Sequence, residues 1–283
     1  MGQWIRKNLV TTITVIALIV GLSLLLYPSI ANYWNSFHQS RAIASYLEQI
    51  ETINPADYEK EWARAEQYNR DLMNKPSRFT LSEEEYAEYE TLLNLTGSGI
   101  MGYIEIPKIS CSLPIYHGTD EAVLQIAVGH IEGTSLPTGG AGTHTVLSGH
   151  RGLPSARLFT DLDQMEPDDL FVIRVMDRVM TYMVDQILIV LPEEMDALSI
   201  DPNEDYCTLV TCTPYGINSH RLLVRGHRTD NVEMEQIIKV VSDATQIKPI
   251  LVAPVLAAPM LVILLVWMMV STGRKQRRRK IIK

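Results

Sequence analysis

Acidic residues are missing from both ends of this 283-residue chain: no Asp or Glu precedes Glu48, and none follows Asp243. All 33 lie in the middle, which holds only 16 of the 25 basic residues and so carries a net charge of −17. The whole-chain value of −8 conceals that split. So acidic a centre argues against nucleic acid as a partner, because phosphate binding requires a basic face. Charge of either sign is missing from two long runs, Leu9–Tyr27 and Ile250–Val270. Each approaches the about 20 apolar residues that a membrane-spanning helix needs. Arg6 and Lys7 precede the first run, and seven basic residues from Arg274 to Lys283 follow the second. The positive-inside rule then places both termini in the cytoplasm and the acidic middle outside. Pro254 and Pro259 in the second run are tolerated better in a membrane helix than in a soluble one. Ser29-Ile30-Ala31 also offers a signal-peptide cleavage site, but the apolar run is longer than a usual signal core and favours an uncleaved anchor. On either reading the middle domain is exported.

Cysteine is scarce. Cys111, Cys207 and Cys212 do not make a disulfide framework in a chain of this size, and their odd number leaves one thiol free unless it pairs between chains. The spacing from Cys207 to Cys212 fits no zinc pattern and no second pair accompanies it, so neither metal nor cofactor is expected. No internal repeat is present.

What the chain does have falls into blocks. Residues 1–8 form a short cytoplasmic start and 9–30 the first membrane segment. Residues 31–96 read as a helical extension: Leu47, Ile50, Tyr58, Trp62, Ala65, Tyr68 and Leu72 recur at helical spacing among charges. Asn54-Pro55 starts a second helix, and Thr80 or Ser82 caps a third with Glu83, Glu84 and Glu85 in its first turn. Thr96-Gly97-Ser98-Gly99 marks a boundary. From 97 to 243 the composition turns to short strands: 102–109, 113–116, 144–148, two within 170–191, and a last pair around 206–225. Helices are expected at 121–128, 155–165 and 232–241. Seven or eight short strands with few helices predict a barrel or sandwich. Residues 250–270 form the second membrane segment and 271–283 a basic cytoplasmic tail.

The stretch Tyr206–Arg225 carries the chemistry. One apolar run ends on Cys212; a turn follows through Thr213, Pro214, Tyr215, Gly216, Ile217, Asn218 and Ser219; a second run starts after Arg221 and ends at Arg225. A thiol leaving one strand beside a guanidinium entering the next is how a reactive thiolate is built. An inert buried cysteine is the commoner alternative. Arg221 and Arg225 compete as the partner cation. Cys207, an odd number of residues from Cys212, points to the opposite face of a straight strand and reads, like Cys111, as a core or surface thiol. His150, after a strand and between Gly149 and Gly152, is a candidate acid–base group, although His117 and His130 also adjoin glycines.

The stretch TLVTC at Thr208–Cys212 resembles the Thr-Leu-x-Thr-Cys signature of sortases, the surface-anchoring cysteine transpeptidases of Gram-positive bacteria. MGYIEIPKI (101–109), LPIYHGT (113–119), LSGHRGLPSARLF (147–159) and TPYGINSHRLLVRG (213–226) are similar to the class C, or pilus-assembling, branch. The helical extension and the second membrane run fit that branch too. The resemblance implies an eight-stranded sortase β-barrel. It assigns Cys212 as the acyl-thioester nucleophile, His150 as proton donor and acceptor, and Arg221 as the stabiliser of substrate or oxyanion. It also implies a donor of the Leu-Pro-x-Thr-Gly kind and pilin subunits, with a pilin lysine resolving the thioester into an isopeptide bond. Attachment of surface proteins to peptidoglycan is the alternative enzyme reading. A non-catalytic surface protein is a third, but no sorting signal stands between Asp243 and Ile250. Leu136-Pro137-Thr138-Gly139-Gly140 mimics such a signal far from the membrane run and reads as a loop. In one respect the chain departs from class C: no Asp-Pro-aromatic lid occurs between Tyr68 and Gly97. The nearest sequence is Lys75-Pro76-Ser77-Arg78-Phe79, so either no plug exists or Arg78 or Phe79 does that work differently.

Overall fold

The computed structural model describes residues 9–231. The expected closing helix at 232–241, second apolar run at 250–270 and basic tail lie outside the described residues. Contacts divide the chain after Asn32. Helix α1 (Leu9–Glu51) begins as an almost uninterrupted apolar run whose large side chains face outward, Leu24 at 70% exposure. By length and composition it can cross a membrane, a property that a signal sequence shares.

From Tyr33 to Asn231 the chain packs around one main core. The later turns of α1 bury Ile43, Tyr46 and Ile50. The Tyr46 hydroxyl donates to the Met101 carbonyl at 3.0 Å and accepts from the Met176 amide at 2.8 Å. Helix α2 (Pro55–Met73) starts as Asn54-Pro55 predicts, the Asn54 side chain accepting from the Ala56 amide at 3.0 Å. Its buried stripe of Trp62, Ala65, Asn69 and Leu72 has helical spacing and faces the barrel. Helix α3 (Glu83–Thr91) is capped by Ser82 rather than Thr80, through a capping box with Glu85.

Eight strands then close a barrel in the order β1-β2-β3-β4-β7-β8-β6-β5. They are β1 (Ile100–Ile106), β2 (Cys111–His117), β3 (Val128–His130), β4 (Thr143–Ser148), β5 (Leu170–Val175), β6 (Arg178–Val190), β7 (Asp205–Thr213) and β8 (His220–Thr229). β2–β3 and β4–β7 are parallel pairs and the others antiparallel. Three expectations need correction. β1 stops at Ile106 because Pro107 has no N–H to give the ladder and opens a 3-10 turn. The helix expected over 121–128 is a single turn, α4 (Glu121–Leu124), and the chain straightens early enough to form β3. The helix expected over 155–165 is a run of turns with a 3-10 segment at Leu162–Gln164; Leu158 sits at φ 38°, outside the helical region, with Ala156, Leu158, Phe159, Leu162 and Met165 each buried from irregular backbone.

The barrel buries two histidines and half-buries a third. His130 is completely buried, with Nδ1 at 2.9 Å from the Tyr89 hydroxyl and Nε2 at 2.9 Å from the Ser135 carbonyl. His144 lies between the Ser199 carbonyl at 2.8 Å and the Thr208 hydroxyl at 2.7 Å. His117 contacts the Leu92 carbonyl at 2.7 Å. Burial pulls His130 and His144 down to about 4 from an ordinary 6.5. The unfolded chain therefore takes up these protons near pH 6.5 and the folded chain only near pH 4, so stability falls as pH drops through that window. The loss is at most roughly 3 kcal/mol per histidine. The thermal midpoint should decline steadily from pH 6.5 to 4, with the His130 and His144 imidazole resonances still neutral at pH 5; resonances titrating near 6.5 would contradict this.

Candidate active site

β7 and β8 pair in antiparallel register with Cys212 opposite Arg221. Directly opposed residues project to the same face, about 4.5–5.5 Å apart at Cα. Cys207 and Leu209 of β7, with Leu222 and Val224 of β8, point into the barrel core. Val210 and Leu223 point outward, into a small apolar cluster with Val146 and Leu198. Alternation along each strand then puts Cys212 and Arg221 on the outer face, at the end of that apolar row. Cys207 faces the other way, as its odd separation predicts.

His150 arrives from β4. That strand runs parallel to β7 with Ser148 opposite Val210, and the chain keeps hugging β7 beyond its end. The Gly149 amide donates to the Val210 carbonyl at 3.0 Å, and the buried Thr211 hydroxyl donates to the Gly149 carbonyl at 2.7 Å. His150 thus comes level with Cys212. Cys212, His150 and Arg221 line one cavity of about 280 Å³, floored by Val210 and Leu223 and walled by Ile131 and by Leu191, Met195 and Leu198 of the β6–β7 loop. A larger cavity of about 820 Å³ lies between α2 and the glycine-rich loop at 139–142 and includes none of the three.

The glycines beside His150 have a different cause from the one its sequence context suggests. A Cβ on Gly149 would lie 2.7 Å from the Phe159 ring, and one on Gly152, at φ 83°, would lie 2.9 Å from the Tyr215 ring. They make room for aromatic neighbours. Glu121 of α4, which sequence reasoning missed because its helix looked generic, brings a carboxylate to 3.8 Å from His150 Nε2, exposed enough for the attraction to be weak.

The competing candidates are accounted for by structural bonds. Arg225 lies opposite Thr208, about 13 Å down the strand from Arg221. Its Nε and Nη2 bind Asp185 at 3.0 and 2.9 Å, and it stacks 4.2 Å from the Tyr206 ring centroid. Arg221, by contrast, uses Nη1 alone among the described residues, donating to the Asn218 and His220 carbonyls at 3.2 Å each. Cys207 is wholly buried and its thiol is pushed well up by desolvation; the Cys111 thiol faces the Leu158 carbonyl at 3.8 Å and is pushed up to about 12 by burial. Both thiols are inert as acids at neutral pH. The signal-like loop is structural: the Asn69 side chain donates to the Leu136 carbonyl and Thr138 hydroxyl and accepts from the Leu136 amide at 2.7 Å.

Comparisons with known proteins bear on the family and the fold. Residues 104–229 match the family described as the sortase domain. Sortase C1 of Streptococcus agalactiae is 48% identical, with a TM-score of 0.66, over 68% of this chain and 100% of its own. A sortase C of Streptococcus pneumoniae, described for its catalysis and pilin substrate specificity, is 44% identical over 68% of this chain and 97% of its own, with a TM-score of 0.62. Sortase D of Bacillus subtilis is 29% identical over 130 residues, which span 45% of this chain and 63% of that protein.

Proposed function

Because the chain belongs to the sortase family of cysteine transpeptidases, in its class C branch, we propose that it cleaves an Leu-Pro-x-Thr-Gly-like sorting signal and joins pilin subunits by isopeptide bonds. The observation that carries this reading is the Cys212–Arg221 pair across β7 and β8, with His150 entering the same cavity.

Cys212 as thiolate attacks the threonyl carbonyl of the signal. The peptide bond breaks, a thioester forms, and the departing glycine amine takes its proton from the His150 imidazolium. A lysine amine of the next pilin then attacks the thioester, His150 accepts a proton from it, and the amide forms as the thiolate leaves. The Arg221 guanidinium, which keeps its proton, is suited to hold the oxyanion and substrate carbonyls through both steps. No cofactor enters this sequence. In this reading 97–243 is the catalytic domain, held outside the cell membrane by 9–30 and 250–270 with both termini cytoplasmic, and 31–96 is its helical extension.

The test is a competition between acceptors. The full chain in detergent is given a donor peptide with a Leu-Pro-x-Thr-Gly signal, a lysine-bearing pilin subunit and a peptidoglycan stem peptide. Mass spectrometry should find the acyl group on the pilin lysine. Product on the stem peptide alone would instead establish surface-protein anchoring.

A further inference from the structure

The segment that stands in place of a class C lid does not cover the thiol. Residues 74–82 contribute nothing to the lining of the Cys212 cavity. They form a tight loop pinned at both ends: Lys75 Nζ binds Glu85 Oε1 at 2.6 Å, and the same carboxylate accepts from the Ser82 amide at 2.8 Å. At its centre Arg78, half-buried, reaches two different loops of the barrel. Nη1 donates to the Gly133 carbonyl at 3.0 Å and Nη2 to the Leu198 carbonyl at 2.8 Å.

Those two carbonyls lie on the two loops that wall the cavity. Gly133 follows Ile131 by two residues in the β3–β4 loop, and Leu198 ends the 3-10 turn of the β6–β7 loop; Ile131 and Leu198 both line the cavity. We propose that Arg78 is a positioning residue that ties the β3–β4 and β6–β7 loops together and so fixes the width of the groove that receives the acyl-donor peptide. This rests on the reading of the groove as the donor site.

Three further features support a brace. A Cβ on Gly133, at φ 77°, would lie 2.2 Å from the Arg78 carbonyl oxygen, so the two backbones meet directly and only glycine fits between them. The Arg78 guanidinium stacks 4.2 Å from the Phe79 ring centroid, which limits its orientations. His144 bonds the Ser199 carbonyl, adjacent to the carbonyl that Arg78 holds, so the end of the β6–β7 turn is gripped from two sides. A planar fork can serve two carbonyls at once, whereas a lysine ammonium offers one compact charge.

The experiment uses the full chain in detergent, a fluorogenic Leu-Pro-Glu-Thr-Gly peptide and iodoacetamide. Arg78→Ala should raise KM about tenfold while kcat stays within about twofold, and Arg78→Lys should fall between it and the wild type. Gly133→Ala, which attacks the contact from the other side, should raise KM in the same way. Alkylation of Cys212 by iodoacetamide should keep its wild-type rate in all three. Faster alkylation with higher turnover would mean that the segment is a plug, and would overturn the proposal. So would an unchanged KM, or a fall in kcat that merely tracks the folded fraction. Affinity for the same peptide, measured by anisotropy in the Cys212→Ala background, reports the groove without the chemistry. An inactive wild type would therefore count against the proposed reaction, while a Kd unaltered by Arg78→Ala would count against the brace.

Discussion

Cys212→Ala is expected to lower turnover of a sorting-signal peptide by on the order of 10⁴-fold or more, while peptide affinity changes by no more than about twofold. The size follows from the geometry. Of the three thiols, Cys207 lies inside the barrel and Cys111 is held against the Leu158 carbonyl, so neither can substitute as nucleophile. The alanine methyl keeps the place of Cβ and touches none of the bonds that shape the groove, since Thr211 and Gly149 make the local contacts between β7 and the β4 extension. Loss of chemistry without loss of binding is the expected signature. An equal loss of affinity would mean that the cavity had collapsed, and residual turnover above about a hundredth of wild type would move the nucleophile elsewhere.

The second large effect is a contrast between two arginines of one strand. Arg221→Lys is expected to cost about 10²–10³-fold in kcat/KM, mostly in kcat, because the oxyanion would lose a planar donor held across the ladder from the attacking sulfur. A lysine keeps the charge but not the fork. Arg225→Lys should leave kcat/KM within about threefold and show its effect as a lower thermal midpoint, because Arg225 is engaged by Asp185 and the Tyr206 ring. Steady-state kinetics and thermal unfolding on the two variants decide the matter. If the effects were exchanged, the register would have been misread as function.

Much of this site could be read from the chain because it is local. Cys212 and Arg221 are nine positions apart across one turn, and two strand-like runs joined by Thr213–Ser219 bring them face to face almost irrespective of the rest of the fold. The opposite facing of Cys207 needs only strand periodicity. His150 was harder. Glycine context pointed equally to His117 and His130, and what separates them is tertiary: Tyr89 and Ser135 occupy His130, Leu92 occupies His117, and only His150 extends a strand that lies beside β7. The choice of Arg221 over Arg225 likewise depends on Asp185, which sits at a bulge of β6 that no local pattern marks.

The misread elements have a common cause. At 121–128 and 155–165 apolar residues fall at spacings compatible with a helix, yet the barrel takes Val128 into a three-residue strand and spends Phe159 and Leu162 on irregular packing. Tertiary burial overrides local periodicity in such short segments. The groove walls were invisible for a related reason. The β6–β7 loop has no motif of its own, and its place depends on carbonyl bonds from Arg78 and His144, far away in sequence.

The assignment of the nucleophile can be read as a mass. The full chain in detergent is mixed with a Leu-Pro-x-Thr-Gly peptide in the absence of an amine acceptor, quenched with acid and digested. A thioester adduct equal to the donor fragment ending in threonine is expected on the peptide that contains Cys212, and it should vanish on treatment with hydroxylamine and be absent from Cys212→Ala. An adduct on Cys111 or Cys207, or one that survives in Cys212→Ala, would contradict the assignment.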